Sequence, residues 1–319
     1  MKLRLIFSLA TIAVLIFPPT GFGAQLRVSY PDIGPSSAFL WAAKERGYFA
    51  KYGLDVDLVY IVGGLLTIQA LLGKNLDMVS VAGEIVIQSA ARGGNIMIFG
   101  SFVNVLGYSL VVTKDINAIT DLKNKTIGIN RFGSSSEYFT RFILDEAGLD
   151  SGKDVTLIQT GGSSARLAAL SAGGIRAALL TPPRDQTAIK MGMKILPIPK
   201  MEYLRNSMVT RVDFLNQNAD MTKRFLEASR DATAWLIDRK NKPEVLKILK
   251  KYMRIGDGPE LDYTYEFTVE GHQTDPRPSR QAVANTLKLV RMMSPDLKDI
   301  DAARFLRLDI AESIQAPSR

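Results

Sequence analysis

The sequence predicts an α/β protein built from two similar lobes. Three observations carry that expectation. Short β-branched runs alternate with helical stretches that end at glycine. The alternation recurs at an offset of about 100 residues. A further strand falls between the two copies, and another just after the second.

In chain order, 26–30 reads as a strand, and 37–46 as a helix capped by Ser36 or Ser37 and stopped at Gly47. Residues 55–60 form a strand with Val56, Leu58 and Tyr60 on one face. The grammar repeats as a helix over 65–72 ended by Gly73, a strand over 78–81, a helix over 84–91 ended by Gly93-Gly94, and a strand over 96–99. Four blocks then recur in the same order. Glu45-Arg46-Gly47 returns as Glu146-Ala147-Gly148, and Asp55-Val56-Asp57-Leu58-Val59 as Asp154-Val155-Thr156-Leu157-Ile158. Val62-Gly63-Gly64 returns as Thr160-Gly161-Gly162, and Ala70-Leu71 through Leu76-Asp77-Met78-Val79 as Ala169-Leu170 through Ile175-Arg176-Ala177-Ala178. The strands 109–113 and 207–210 read as segments crossing between lobes. Lobe 1 is therefore expected over 25–108 plus 207–319, and lobe 2 over 109–206. Helices are expected at 221–240, 243–252, 279–293 and 302–306, with Pro259 and Asp275-Pro276-Arg277-Pro278 marking loops.

Ahead of these, Lys2 and Arg4 precede the apolar run 5–17, followed by Pro18-Pro19 and Gly21-Phe22-Gly23-Ala24. This reads as a secretory signal peptide over 1–24. The run is shorter than the roughly 20 residues that span a bilayer core, and small residues follow it. The expected destination is the periplasm.

Composition excludes several chemistries. With no cysteine among 319 residues, disulfides, iron–sulfur clusters and cysteine nucleophiles cannot form. The single histidine, His272, cannot make a two-histidine zinc site; it sits in a polar Gly271-His272-Gln273 loop and is expected at the surface. The +8 net charge is spread thinly, with Arg239-Lys240 and Lys250-Lys251 the densest pairs, and no basic stripe is interleaved with aromatics as nucleic-acid grooves require. Neither a Walker sequence nor a Gly-x-Gly-x-x-Gly follows the first strand. No cofactor is expected, and a monomer is.

In such sheets ligands bind beyond the strand carboxyl ends, at glycine-rich turns that lead into helices. The candidate ligand residues are Gly34, Pro35, Ser36 and Ser37; Gly63 and Gly64; Gly83 and Glu84; Gly133, Ser134, Ser135 and Ser136; Gly161 and Gly162; and Thr181 and Pro182. Glycine admits close backbone approach, hydroxyls donate and accept, and free amides at a helix start favour an anion. The strongest candidate is Gly133 to Ser136, where three hydroxyls open a helix, although N-capping is the plainer role of any one serine. Glu84 either interacts with its helix dipole or faces the cleft, where it would repel a simple anion. Arg131, Arg166 and Arg184 stand beside lobe 2 turns, each expected at the surface but able to pair with an acidic ligand. Tyr30, Phe39, Trp41, Phe132, Tyr138 and Tyr203 could wall an apolar pocket, with Trp41 reading as core.

The run Glu45-Arg46-Gly47-Tyr48-Phe49-Ala50-Lys51-Tyr52-Gly53-Leu54-Asp55-Val56 resembles a signature of the nitrate-, sulfonate- and taurine-type solute-binding proteins of ABC transporters, which include thiamine-pyrimidine-precursor binders. Gln69-Ala70-Leu71-Leu72-Gly73, Asp121-Leu122-Lys123-Asn124-Lys125-Thr126-Ile127-Gly128, Gly148-Leu149-Asp150 and Ala169-Leu170-Ser171-Ala172-Gly173 match as well, so the resemblance covers about 25–240. It implies a type II periplasmic-binding fold, two doubly wound lobes joined by two crossing strands, which clamp a ligand by hinge closure. It further implies permease subunits as partners. Two departures stand out: Arg176 replaces the acid that Asp77 keeps in the first copy, and Asn124 replaces a usual glycine. The leading expectation is a periplasmic receptor for a small, acidic organic solute. The competing classes are a sensor subunit for a histidine kinase and an enzyme like the pyrimidine-precursor synthase.

Overall fold

In the computed structural model, which describes residues 24–314, the strands are β1 (Ala24–Tyr30), β2 (Leu54–Tyr60), β3 (Met78–Val81), β4 (Ile96–Val105), β5 (Ser109–Val112), β6 (Thr126–Ile129), β7 (Thr156–Gln159), β8 (Ala177–Leu180), β9 (Lys194–Leu196) and β10 (Glu202–Arg211). The expected signal peptide lies outside the described residues except for Ala24, which opens β1.

Two five-stranded sheets result, ordered β2-β1-β3-β10-β4 and β7-β6-β8-β5-β9. They have the same plan. In each, three parallel strands are followed by an antiparallel strand that arrives from the other lobe: β10 pairs with β3 and β4, and β5 with β8 and β9. The internal repeat thus corresponds to two copies of one sheet. This is the α/β, two-lobed fold with two crossings that the sequence predicts.

The border expected at 206/207 falls inside β10. Glu202 already pairs with Val105 and Asn206 with Val103, so β10 belongs wholly to the first sheet. β4 is likewise longer than the expected 96–99. Gly100, Ser101 and Asn104 break the apolar alternation in sequence, but the strand continues because the register shifts of β10 keep its backbone paired.

The helices of the repeated part are α1 (Ala38–Glu45), α2 (Tyr48–Lys51), α3 (Gly64–Leu72), α4 (Gly83–Ala91), α5 (Ser135–Glu146), α6 (Ser163–Ser171) and α7 (Arg184–Lys190). The C-terminal part adds α8 (Val212–Gln217), α9 (Ala219–Ile237), α10 (Lys242–Met253), α11 (Pro259–Gly271), α12 (Arg280–Met293) and α13 (Asp309–Glu312). α9 and α10 cover α1 and α2: Phe225 stacks on Phe49 at 5.3 Å and Tyr252 on Trp41 at 4.8 Å. Burial of these rings removes a large apolar area from water, which makes this layer the main core of lobe 1. A second core runs from lobe 1 into lobe 2 through Tyr203, whose ring meets Phe139 edge-on at 4.6 Å.

Three expectations are corrected. Ser36 and Ser37 do not cap the first helix; their hydroxyls donate to the side chain and carbonyl of Asp32 at 3.3 and 3.2 Å, bracing the 31–37 turn. Pro259 starts α11 instead of marking a loop, at a position where its missing N–H costs nothing. His272 is buried, not at the surface. The segment after α11 turns back into lobe 1, where Gln273 N–H donates to Phe102 O, and His272 packs against Phe39. Among the described residues no helix is long and apolar enough to cross a membrane.

Candidate functional site

A cavity of about 420 Å³ opens between the lobes, beyond the carboxyl ends of β1, β2, β3, β6 and β8. Three helices of nine residues or more place their first residue on it, α3 with Gly64, α5 with Ser135 and α6 with Ser163, and the shorter α7 starts there at Arg184. The first-turn amides of a helix have no partner within it and carry partial positive charge, so three such ends form a field suited to an anionic group. Gly64 is required at the α3 start. A Cβ there would stand 2.5 Å from side-chain atoms of Val81 and Ile85. At the preceding Gly63, φ is +87° and a Cβ would lie 3.9 Å from Asn130 Nδ2, across the cleft on lobe 2.

Arg205 forms the back wall, only 5% exposed. Its Nη2 donates to Asp32 Oδ2 at 3.2 Å and its guanidinium lies 4.3 Å over the Tyr108 ring. Burial works against its charge, but Tyr108 and Asp32 outweigh that and raise its pKa, so Arg205 is a permanent cation here. Arg166 is also buried, against the expectation that it lies at the surface. Its Nη1, Nε and Nη2 donate to Gly161 O at 2.6 Å, Leu179 O at 2.9 Å and Ser163 Oγ at 3.2 Å. The guanidinium is held inside because its donors are used by the Leu179 and Gly161 carbonyls and the Ser163 hydroxyl around the α6 turn. Burial lowers its pKa. Arg184 lines the cavity and donates to Ser164 Oγ at 3.0 Å, whereas Arg131 is exposed away from it.

Of the candidate ligand residues, Gly63, Gly64, Ser134, Ser135, Ser136, Gly162, Thr181 and Pro182 line the cavity. The serine hydroxyls serve their own turn first. Ser134 Oγ donates to Arg131 O at 2.6 Å, and Ser136 Oγ accepts from Asn130 N at 2.8 Å. Ser135 Oγ receives the Tyr203 hydroxyl at 3.5 Å, so what this turn offers a ligand is mostly backbone amide. Gly133 instead borders a neighbouring groove with Leu65 and Tyr138, and the Gly161 carbonyl is engaged by Arg166. Gly34 and Ser37 stand behind the wall, while Pro35 and Ser36 border a separate small cavity.

Gly83 and Glu84 do not line the cavity either. A Cβ on Gly83 would come within 2.6 Å of Leu204 Cβ, so this glycine serves packing. Glu84 is fully buried between α4, Ser135 and Tyr203, with neither carboxylate oxygen in a well-aligned hydrogen bond; burial raises its pKa, and Ser135 and Tyr203 oppose the rise. Of the six aromatic candidates, none lines the cavity. Tyr30, Phe39, Trp41, Tyr138 and Tyr203 are buried, and Phe132 is half-exposed away from the lining.

The residues missed in sequence are Tyr60, Tyr108, Asn130, Arg205, Asn206 and Arg254, all of which line the cavity. Tyr108 and Arg205-Asn206 immediately flank the segments 109–113 and 207–210 that read as crossings. Being next to a crossing was the available signal for them.

A family model described as "NMT1/THI5 like" matches residues 34–242. YtlA of Bacillus subtilis (strain 168), which carries a binding-protein name, is 24% identical over 247 residues, 75% of this chain and 74% of that one. Among solved structures, the periplasmic aliphatic sulphonate binding protein SsuA from Escherichia coli is similar with a TM-score of 0.72 at 18% identity, covering 91% of this chain and 99% of that chain. The periplasmic nitrate-binding protein NrtA from Synechocystis PCC 6803 gives a TM-score of 0.67 at 16% identity, covering 91% and 87%. These two likenesses show a shared fold. The family match covers most of the cleft-lining residues and about two thirds of the chain, and on it the chain belongs to the NMT1/THI5-like family.

Proposed function

We propose that this protein is a periplasmic solute-binding receptor of ABC-import type that clamps a small organic anion, a carboxylate or sulfonate, between its lobes. The observation that carries the reading is Arg205, a buried guanidinium facing a cavity onto which three helix starts open. Asp32 balances part of the Arg205 charge, and the amide ends together with Arg184 and Arg254 leave the surplus positive. Tyr60, Ile85 and Met253 add apolar surface, which suits an organic body more than a bare inorganic ion. The cavity volume lies in the range of small-molecule sites. The binding names of YtlA, SsuA and NrtA support the receptor class and import as its use.

The test is a thermal-shift screen against alkyl sulfonates, nitrate, aromatic carboxylates and aminopyrimidines. A ligand at 100 times its Kd stabilises the fold by about 2.7 kcal/mol, a shift of a few degrees in a chain of this size. An acidic class is expected to raise Tm in the wild type and not in Arg205→Gln. A shift by aminopyrimidines alone overturns the acidic assignment. The desulfurization enzyme DSZB shares the fold at a TM-score of 0.66 and 14% identity, so the bound compound is also followed by mass spectrometry; its conversion would replace the receptor reading with an enzymatic one.

A further inference from the structure

Arg205 and Thr181 belong to two cavities at once. One is the cleft; the other is a small cavity of about 10 Å³ behind them, also bordered by Ser36, Gly107, Phe267 and His272. That volume is close to what one water molecule occupies.

Two buried nitrogens at its wall have no hydrogen-bond partner: Arg205 Nε and His272 Nε2. Their chemistry is complementary. His272 Nδ1 lies 2.7 Å from Thr268 O, an atom that can only accept, so Nδ1 carries the proton and Nε2 presents a lone pair. Arg205 Nε carries a hydrogen, and Gly107 leaves room beside it: a Cβ on Gly107 would stand 3.7 Å from Nε. One buried donor and one buried acceptor, on two residues that border the same one-water space, are each costly to leave unpaired. The Ser36 hydroxyl, 7% exposed and already bonded to Asp32, offers a further acceptor in the same wall.

We propose that this small cavity is a water site and that His272 acts through it as a positioning residue for Arg205. One water accepts from Arg205 Nε–H and donates to His272 Nε2. With Asp32 holding Nη2 from the other side, the guanidinium plane is then fixed at two points. Arg205 itself lines the cleft, so fixing its plane fixes what it presents there. The positioning role rests on the reading of Arg205 as the anion-binding group; the water site does not. Burial keeps His272 neutral, lowering its pKa to about 4, so the lone pair persists at neutral pH.

The experiment uses ¹⁵N-labelled full-length mature protein without ligand, the Arg205 Nε–H signal being assigned by its loss in Arg205→Lys. The expected result is a cross-relaxation peak between that proton and a long-lived water, together with a ¹⁵N shift of His272 Nε2 typical of an unprotonated, hydrogen-bonded nitrogen. In His272→Phe the water peak should vanish and Nε–H should exchange with solvent at least tenfold faster. Affinity for an anion found in the screen should fall about tenfold in the same variant. A wild-type crystal structure supplies the check that needs no variant, with a water within hydrogen-bonding distance of both nitrogens expected. An empty cavity, or an Arg205 Nε bonded elsewhere, overturns the water site. A folded His272→Phe whose Arg205 Nε–H is unchanged overturns the positioning role. A water that is present while no anion stabilises the protein would leave this site standing and overturn the proposed ligand class.

Discussion

Tyr263 of α11 and Asp185 of α7 meet across the two lobes, the tyrosine hydroxyl donating to Asp185 Oδ2 at 3.2 Å. Ser109 Oγ donates to the same oxygen at 2.8 Å from the start of β5, and the Gln186 amide to Oδ1 at 2.8 Å. One turn further along α7, Lys190 forms an ion pair with Glu260 of α11. On the α5 side, Lys288 of α12 reaches Glu146 at 3.1 Å. The C-terminal helices of lobe 1 therefore hold lobe 2 directly, in addition to the two crossings. Tyr263→Phe should cost about 1 kcal/mol in urea unfolding, the usual net value of one hydrogen bond. Asp185→Ala should cost more, since it leaves Ser109 and Tyr263 without their acceptor.

Glu84 predicts a pH dependence of the opposite sense to an ordinary surface carboxylate. Burial raises its pKa in the folded protein, with Ser135, Tyr203 and Arg205 opposing the shift only in part. The protonated form is thus favoured by folding. Its contribution is full below the unfolded value of about 4.3 and is lost as pH rises through the raised folded pKa. Glu84→Gln removes the charge while keeping the shape, so at pH 8 it should be more stable than wild type by at least about 1 kcal/mol. Urea melts from pH 4 to 8 check this, the difference expected to shrink toward pH 4.

His272 works in the other direction. Burial lowers its pKa from 6.5 to about 4, so folding favours the neutral ring. That contribution is full above 6.5 and is lost as pH falls toward 4, amounting to about 3 kcal/mol. His272→Phe should flatten the acid limb of the stability profile between those two values, read by the same melts.

Gly83→Ala should destabilise by about 1–3 kcal/mol through overpacking, because the added carbon would collide with Leu204 on β10 and crowd Thr286 on α12. Anion affinity measured on the folded fraction should stay at the wild-type value, since Gly83 does not face the cleft. A ligand-binding glycine would behave the other way round.

What the sequence determined by itself is local in origin. The alternation of strand and helix, the glycine stops and the repeated Asp-Val and Gly-Gly blocks are all properties of ten- to twenty-residue windows, and they predicted two copies of one sheet. The turns at 63–64, 134–136, 162 and 181–182 were legible for the same reason, since a glycine or serine ahead of a helix announces a free amide end. What only the tertiary structure decided is which side chains face the same space. Arg205 becomes an anchored cation through Asp32, 173 residues away in the chain, and His272 meets Phe39 from the far end of the sequence. Arg166 looked like a surface charge because nothing local shows that Gly161 and Leu179 carbonyls need its donors. Burial and partnership of a charge depend on segments brought together by packing, and that proximity is written in the summed contacts of both lobes, not in any one window.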